Sequence, residues 1–272
     1  VSISADSFPL PTDASTETKQ DDQITELTAI KDKIFVPSTD SFGLQEVASP
    51  QSIFDAQFTY DLHPLLYEQV TNNGTITHDA TNRAAVITST GIGDTFLQSF
   101  EYFRYQPGKG QKIYLTFNFK DVEVGKTKYV QYGDSSNAMG LRQLGDGTVE
   151  VYITTGTSEG NQTQIIDTNS LGIDLTKEQI FILQFEALYV GSVQFGLQLG
   201  SDIVWIYTFA NSNSSNCPYI QTANLPIRVG IDSTSVTTST MMFNCTSVQT
   251  SAGVDNVTGY TFTQDTSLTA LS

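Results

Sequence analysis

Apolar and polar residues alternate through most of the chain after residue 50. The clearest run sets Ile113, Leu115, Phe117 and Phe119 against Lys112, Tyr114, Thr116 and Asn118, the period of a strand with one face buried. Just before it, Tyr102-Phe103-Arg104-Tyr105 suits a pleated surface. Gln106-Pro107-Gly108-Lys109-Gly110 joins the two with turn chemistry, since proline presets one backbone angle and glycine accepts positive ones. Similar patterns predict strands over 53–60, 65–70, 74–78, 84–89, 95–105, 112–122, 128–132, 138–144, 148–154, 162–167, 181–189, 191–199, 202–209, 227–233, 240–248 and 260–265. Gly- and Asp-rich turns separate many of them. So many short strands predict an all-β, antiparallel sandwich or jelly roll.

One stretch follows another period. Within 13–34, Ile24, Leu27, Ile30 and Ile34 recur at three, three and four, one stripe of a helix. Asp13 or Ser15 caps it, and Glu17 lies in the first turn, where the helix dipole favours a carboxylate. Two heptads are too few for a coiled coil that stands alone. The stripe therefore packs on its own domain or forms a short bundle about an oligomer axis. With 37–50 as linker, the predicted layout is an extended arm with one short helix (1–45) and a β-sandwich (46–272).

Composition narrows the classes. The chain has 272 residues, 15% charged and 11% aromatic, with a net charge of −16. That aromatic load argues for a packed core. The acidic balance argues against a phosphate-gripping nucleic-acid protein and against attraction to anionic membranes. No apolar run reaches membrane-spanning length.

Catalytic signals are sparse. His63 and His78 are the two histidines, and neither sits in a metal or triad motif. Asp121 and Glu123 alternate on a predicted strand, with Glu150 elsewhere, which falls short of a glycosidase pattern; the expectation is a chain that is not an enzyme. No cofactor is predicted. Asp134 and Asp146 lie in Asp-Gly-type turns that resemble weak calcium loops. Cys217 and Cys245 are either a disulfide or two quiet thiols. Arg104 and Lys109 flank the hinge beside Tyr102 and Tyr105, as a contact for a sugar, phosphate or subunit or as cation–π packing. Tyr189, Trp205 and Tyr207 are the aromatic candidates for a glycan platform.

Three strings carry a family resemblance. The arm Leu10-Pro11-Thr12-Asp13-Ala14-Ser15-Thr16-Glu17, followed by Lys19-Gln20-Asp21-Asp22-Gln23, is the first. Phe54-Asp55 through Tyr60 with Tyr102 to Gly110 is the second. Phe185-Glu186-Ala187-Leu188-Tyr189-Val190-Gly191-Ser192-Val193-Gln194-Phe195-Gly196 with Asn224-Leu225-Pro226-Ile227-Arg228 is the third. Together they resemble virion structural proteins of tailed bacteriophages, with relatives in giant viruses. Ala187, Ser192, Gln194 and Gly230 depart from the group's pattern. The resemblance implies a concanavalin-like, lectin-type jelly roll carried on an extracellular particle by its arm, with other virion proteins as partners. It implies a non-enzymatic capsid, head-fibre or tail-fibre protein; a homo-oligomer, with a trimer favoured, is expected, and the acidic composition predicts no nucleic-acid or membrane partner. The alternative is a carbohydrate-binding module that recognises host surface glycans.

Overall fold

The computed structural model describes Thr25 and residues 50–186, 190–213, 216–222 and 224–251. The chain divides into two units, Val1–Ser38 and Thr39–Ser272. The stripe Ile24, Leu27, Ile30 and Ile34, the predicted strand 260–265 and Tyr189 lie outside the described residues.

Within the second unit the strands are β1 (Gln51–Gln57), β2 (Tyr67–Thr71), β3 (Gly74–Asp79), β4 (Ala84–Ser89), β5 (Gly93–Ser99) and β6 (Phe103–Arg104). They continue as β7 (Gly110–Asn118), β8 (Lys126–Gly133), β9 (Ala138–Gln143), β10 (Val149–Thr154), β11 (Gln162–Ile166) and β12 (Gln179–Glu186). The last are β13 (Ser192–Leu199), β14 (Asp202–Ala210), β15 (Asn224–Leu225), β16 (Ile227–Ser233) and β17 (Ser239–Thr250). One sheet runs β14-β13-β12-β7-β17-β4-β3, with β1 also on β17. The facing sheet runs β11-β10-β9-β8-β16-β5-β2, and β6 pairs with β15. All pairings are antiparallel, the expected β-sandwich.

Two predicted strands are cut short. The run 95–105 is two strands, because Ser99 turns its hydroxyl onto the Glu101 carbonyl at 2.8 Å and takes the Ile227 amide at 2.9 Å. The run 112–122 ends at Asn118, since Lys120 adopts φ 62° and Asn118 accepts its amide at 2.8 Å.

The core lies between the sheets. Ile113, Leu115, Phe117, Phe181, Phe195 and Phe243 face Leu97, Val130, Leu141, Val151, Val229 and Ile231, all fully buried. Each such side chain contributes roughly 1.5–3 kcal/mol by leaving water. Tyr105, Phe185 and Tyr132 pack in series, with ring centres 6.4 and 5.6 Å apart. Phe103 stacks on Tyr132 at 6.2 Å and pairs with Leu225 across β6 and β15. Phe103, Tyr132, Phe185 and Tyr105 thus form one aromatic seam, which Leu225 joins across the β6–β15 pair.

The inward face of β8 also holds two lysines, each about 1% exposed. The Lys126 ammonium donates to the Ser233 and Ser89 hydroxyls at 2.7 and 3.0 Å and to the carbonyl of Ser235 at 3.2 Å. The Lys128 ammonium donates to the carbonyls of Asp121 at 2.8 Å and Thr240 at 2.9 Å, to that of Phe119, and to the Asp121 carboxylate. Burial holds both below the ordinary lysine pKa. Each ammonium ties the two sheets together where loops close one end of the sandwich. No disulfide joins Cys217 and Cys245, so the disulfide reading is corrected; Cys245 instead donates to Thr116 Oγ1 at 3.2 Å.

Lys128→Met leaves these carbonyls and the Asp121 carboxylate without their cation. It should cost about 3 kcal/mol in urea unfolding, the scale for removing one partner of a buried charged network. Lys177→Met, whose ion pair with Asp174 is exposed at 3.7 Å, should stay within about 0.5 kcal/mol.

Candidate functional site

The outward face of the seven-stranded sheet carries the candidate site. Alternation sends Asp94, Phe96 and Gln98 outward from β5, Arg228, Gly230 and Asp232 from β16, and Thr127, Tyr129 and Gln131 from β8. Gly140 and Arg142 join from β9, and Glu150 and Tyr152 from β10. Pairing aligns them in three rows. The first is Asp94–Asp232–Thr127, the second Phe96–Gly230–Tyr129–Arg142–Glu150, the third Gln98–Arg228–Gln131–Gly140–Tyr152. A cleft of about 260 Å³ opens over them, lined also by Asp134 and Thr154.

The rows are held by side-chain bonds. Arg142 Nε donates to Glu150 Oε2 at 2.8 Å, and its guanidinium covers the Tyr152 ring at 4.6 Å. Arg228 Nε donates to Gln98 Oε1 at 2.7 Å, and its guanidinium covers Phe96 at 4.2 Å. Tyr152 donates to Gln131 Oε1, and Gln131 Nε2 donates to the carbonyls of Asp134 at 2.9 Å and Gly133 at 3.2 Å. Gln98 Nε2 donates to the Tyr102 hydroxyl at 3.3 Å, extending the third row to an exposed ring. The outer nitrogens of both guanidiniums have no hydrogen-bond partner among the described residues. The two arginines thus cover the rings of Tyr152 and Phe96 and leave polar groups lining much of the cleft.

Gly230 makes one contact possible. A Cβ there would stand 2.5 Å from Phe96 Cβ and 2.7 Å from the Tyr129 hydroxyl. With no side chain on β16, Tyr129 leans across that strand. Its hydroxyl donates to Asp94 on β5 at 2.8 and 3.1 Å. Burial pushes the Asp94 carboxyl up to about 6; the bond from Tyr129 opposes this and the charge of Asp232 adds to it. Burial, with the Asp94 charge second, pushes the Tyr129 phenol well above its ordinary value.

Few of the predicted site residues come to this face. Arg104 is exposed on β6 and Lys109 lies in the turn before β7; neither lines the cleft. Trp205 is 40% exposed on β14, an edge of the other sheet, where its ring covers Gly196. Tyr207 packs toward the core against Phe209 at 4.8 Å. Asp121 is bound to Lys128 and Glu150 to Arg142, so those carboxylates share no groove. Asp134 accepts the amides of Ser136 and Asn137 at 2.7 and 2.9 Å, and Asp146 that of Thr148 at 2.8 Å. Both are turn caps, and among the described residues no three ligand-type side chains cluster for a metal. His63 and His78 bond the carbonyls of Gln57 and Phe58 at 2.6 and 2.9 Å. Asp94, Arg142, Arg228 and Asp232 escape sequence reading because 134 positions separate Asp94 from Arg228 in the chain (228 − 94); only strand pairing joins them.

No protein-family model and no curated protein matches the chain. Solved structures do share its fold. An endo-1,3-β-glucanase from Streptomyces sioyaensis is similar with TM-score 0.54 and 8% identity, over 75% of this chain and 97% of that one. A β-1,3-glucanase from Mycobacterium marinum gives 0.56 and 10%, over 74% and 99%. An immunostimulatory antigen and pseudo β-1,3-glucanase of Mycobacterium tuberculosis gives 0.54 and 10%, over 72% and 98%. These likenesses establish the jelly-roll fold. They also correct the expectation of a chain that is not an enzyme: two of these proteins that share the fold are named as glucanases, so the lack of a glycosidase pattern in Asp121, Glu123 and Glu150 does not exclude one.

The raised Asp94 carboxyl has a cost in stability. The folded chain holds this proton more tightly than the unfolded chain does, so stability falls as pH rises from about 4 to about 6. Asp94→Asn removes the cost. Urea melts should show the variant more stable by about 1 kcal/mol at pH 7, after discount for partial exposure, and equal to the parent near pH 4.

Proposed function

We propose that the chain is a carbohydrate-binding module that receives a neutral glycan chain in the cleft over β5, β16, β8, β9 and β10. The observation that carries this reading is the row arrangement itself. Uncommitted guanidinium nitrogens of Arg142 and Arg228 line the same cleft as the carboxylates of Asp94 and Asp232. Each sugar hydroxyl both donates and accepts, so adjacent donors and acceptors match vicinal hydroxyls. The held side chains lower the ordering cost of binding.

Charge selects a neutral ligand. Asp94, Asp134, Asp232 and Glu150 outnumber Arg142 and Arg228 around the cleft, in a chain of net charge −16. A sulfated or uronate-rich glycan meets repulsion there. The named activities of the structural neighbours support a β-glucan as first probe. The resemblance of the three strings to virion proteins supports placing this module on a virus particle, with the 1–45 arm as anchor; that placement rests on sequence alone.

Affinity electrophoresis of the full chain in gels containing laminarin or lichenan tests the binding. Both neutral glucans should retard it, and heparin should not. Arg228→Ala and Tyr152→Ala should each weaken retardation about tenfold or more, the scale of losing one good hydrogen-bonding group at a desolvated site. Retardation by heparin alone, or by no glucan, would overturn the reading.

A further inference from the structure

We propose that Asp94 and Asp232 form an acid/base–nucleophile pair that hydrolyses a glycosidic bond in this cleft, with Tyr129 as a positioning residue. The inference rests on the binding reading above and adds chemistry to it.

The geometry comes first. Asp94 and Asp232 stand directly opposite each other on β5 and β16, and both line the cleft. Residues opposite in an antiparallel pair have Cβ atoms about 4.5–5.5 Å apart. Retaining glycosidases set their two carboxyls about 5–5.5 Å apart, a separation within reach of aspartate side chains rooted at such a pair. The two aspartates come from neighbouring strands rather than from alternate positions of one, which is why no local motif announces them.

The two environments differ, as acid/base assignment requires. Asp94 is partly buried, and its carboxyl is aimed by the Tyr129 hydroxyl across side-chain-free Gly230. Asp232 is exposed at the cleft rim. Around Asp94 the charged and titratable groups are Tyr129 from β8, and Asp232 and Arg228 from β16. The protonated form of Asp94 therefore persists to higher pH than an ordinary aspartate, which suits a general acid.

The steps balance. Asp94 gives its proton to the glycosidic oxygen as the bond from that oxygen to C1 breaks, and a carboxylate oxygen of Asp232 bonds to C1. Water then transfers a proton to Asp94 while its oxygen bonds to C1, releasing the Asp232 carboxylate. One water is consumed, the anomeric configuration is retained, and Asp94 is ready to act again.

The test incubates the full chain with laminarin and with lichenan, follows new reducing ends from pH 4 to 8, and measures gel retardation in parallel. Release should be highest below about pH 6 and fall above it, following the Asp94 proton. Asp94→Asn should lose at least about 100-fold in rate at saturating glucan, the usual contribution of a general acid, a loss larger than any change in its retardation. Asp232→Gly should be equally slow, and sodium azide should restore turnover to it as a glycosyl azide. Tyr129→Phe should shift the pH profile while binding persists. Retardation by either glucan without release of reducing ends, or release unchanged in Asp94→Asn and Asp232→Gly, would overturn the catalytic inference and leave the binding reading standing. Absence of retardation would overturn both.

Discussion

The pleat of β8 is the constraint on which the rest of this domain depends. β8 is the central strand of its sheet. Its even-numbered residues Lys126, Lys128, Val130 and Tyr132 enter the sandwich; Thr127, Tyr129 and Gln131 build the cleft. A one-residue slip would exchange the two sets. It would expel Val130 and Tyr132 from the core and put Tyr129 and Gln131 in their place. The register that satisfies two buried ammonium groups is therefore the register that aims Tyr129 at Asp94. Fold stability and site geometry share one constraint.

The strands were legible in the sequence because they rest on local alternation, and most predicted boundaries lie within two or three residues of the observed ones. Failures came where a side chain overrides the pattern. Ser99 caps a break in 95–105, and Asn118 ends β7 by taking the Lys120 amide. That second break also explains the misread carboxylates. Asp121 and Glu123 lie past the end of β7, so strand alternation never applied to them. The lysines of β8 were illegible for another reason: charge on a strand reads as solvent-facing, and only carbonyls and hydroxyls from other strands and loops make their burial tolerable.

The cleft was harder still. Its members come from five strands, and each looks ordinary beside its chain neighbours. Arg228 is the instructive case. It closes the string Asn224-Leu225-Pro226-Ile227-Arg228, whose Leu225 and Ile227 are buried in the core. The string read as a family marker, and its first positions are indeed architectural. Its last residue turns outward to cover Phe96 and bond Gln98. Tyr102 behaves alike: Phe103 and Tyr105 beside it are core, while Tyr102 is exposed and bonds Gln98. Both strings thus have a packed side and a side facing one end of the same third row.

Two of the chain's four arginines, Arg142 and Arg228, stand in this cleft. A neutral, well-packed face would have been more stable than what is there. Two aspartates directly across a strand pair repel when both are ionised, and burial of one adds a further penalty. Gly230 gives up the strand preference of a side chain so that Tyr129 reaches Asp94. None of these choices helps the core, which is closed by apolar residues on the opposite face of the same strands. Stability spent locally, in a cleft, on groups with unlike environments is the pattern expected where a protein maintains a site for a ligand. The same expenditure at the sandwich end, around Lys126 and Lys128, has every ammonium contact answered by an oxygen and leaves no cleft. That contrast separates a buried charge that organises the fold from one that faces a cleft.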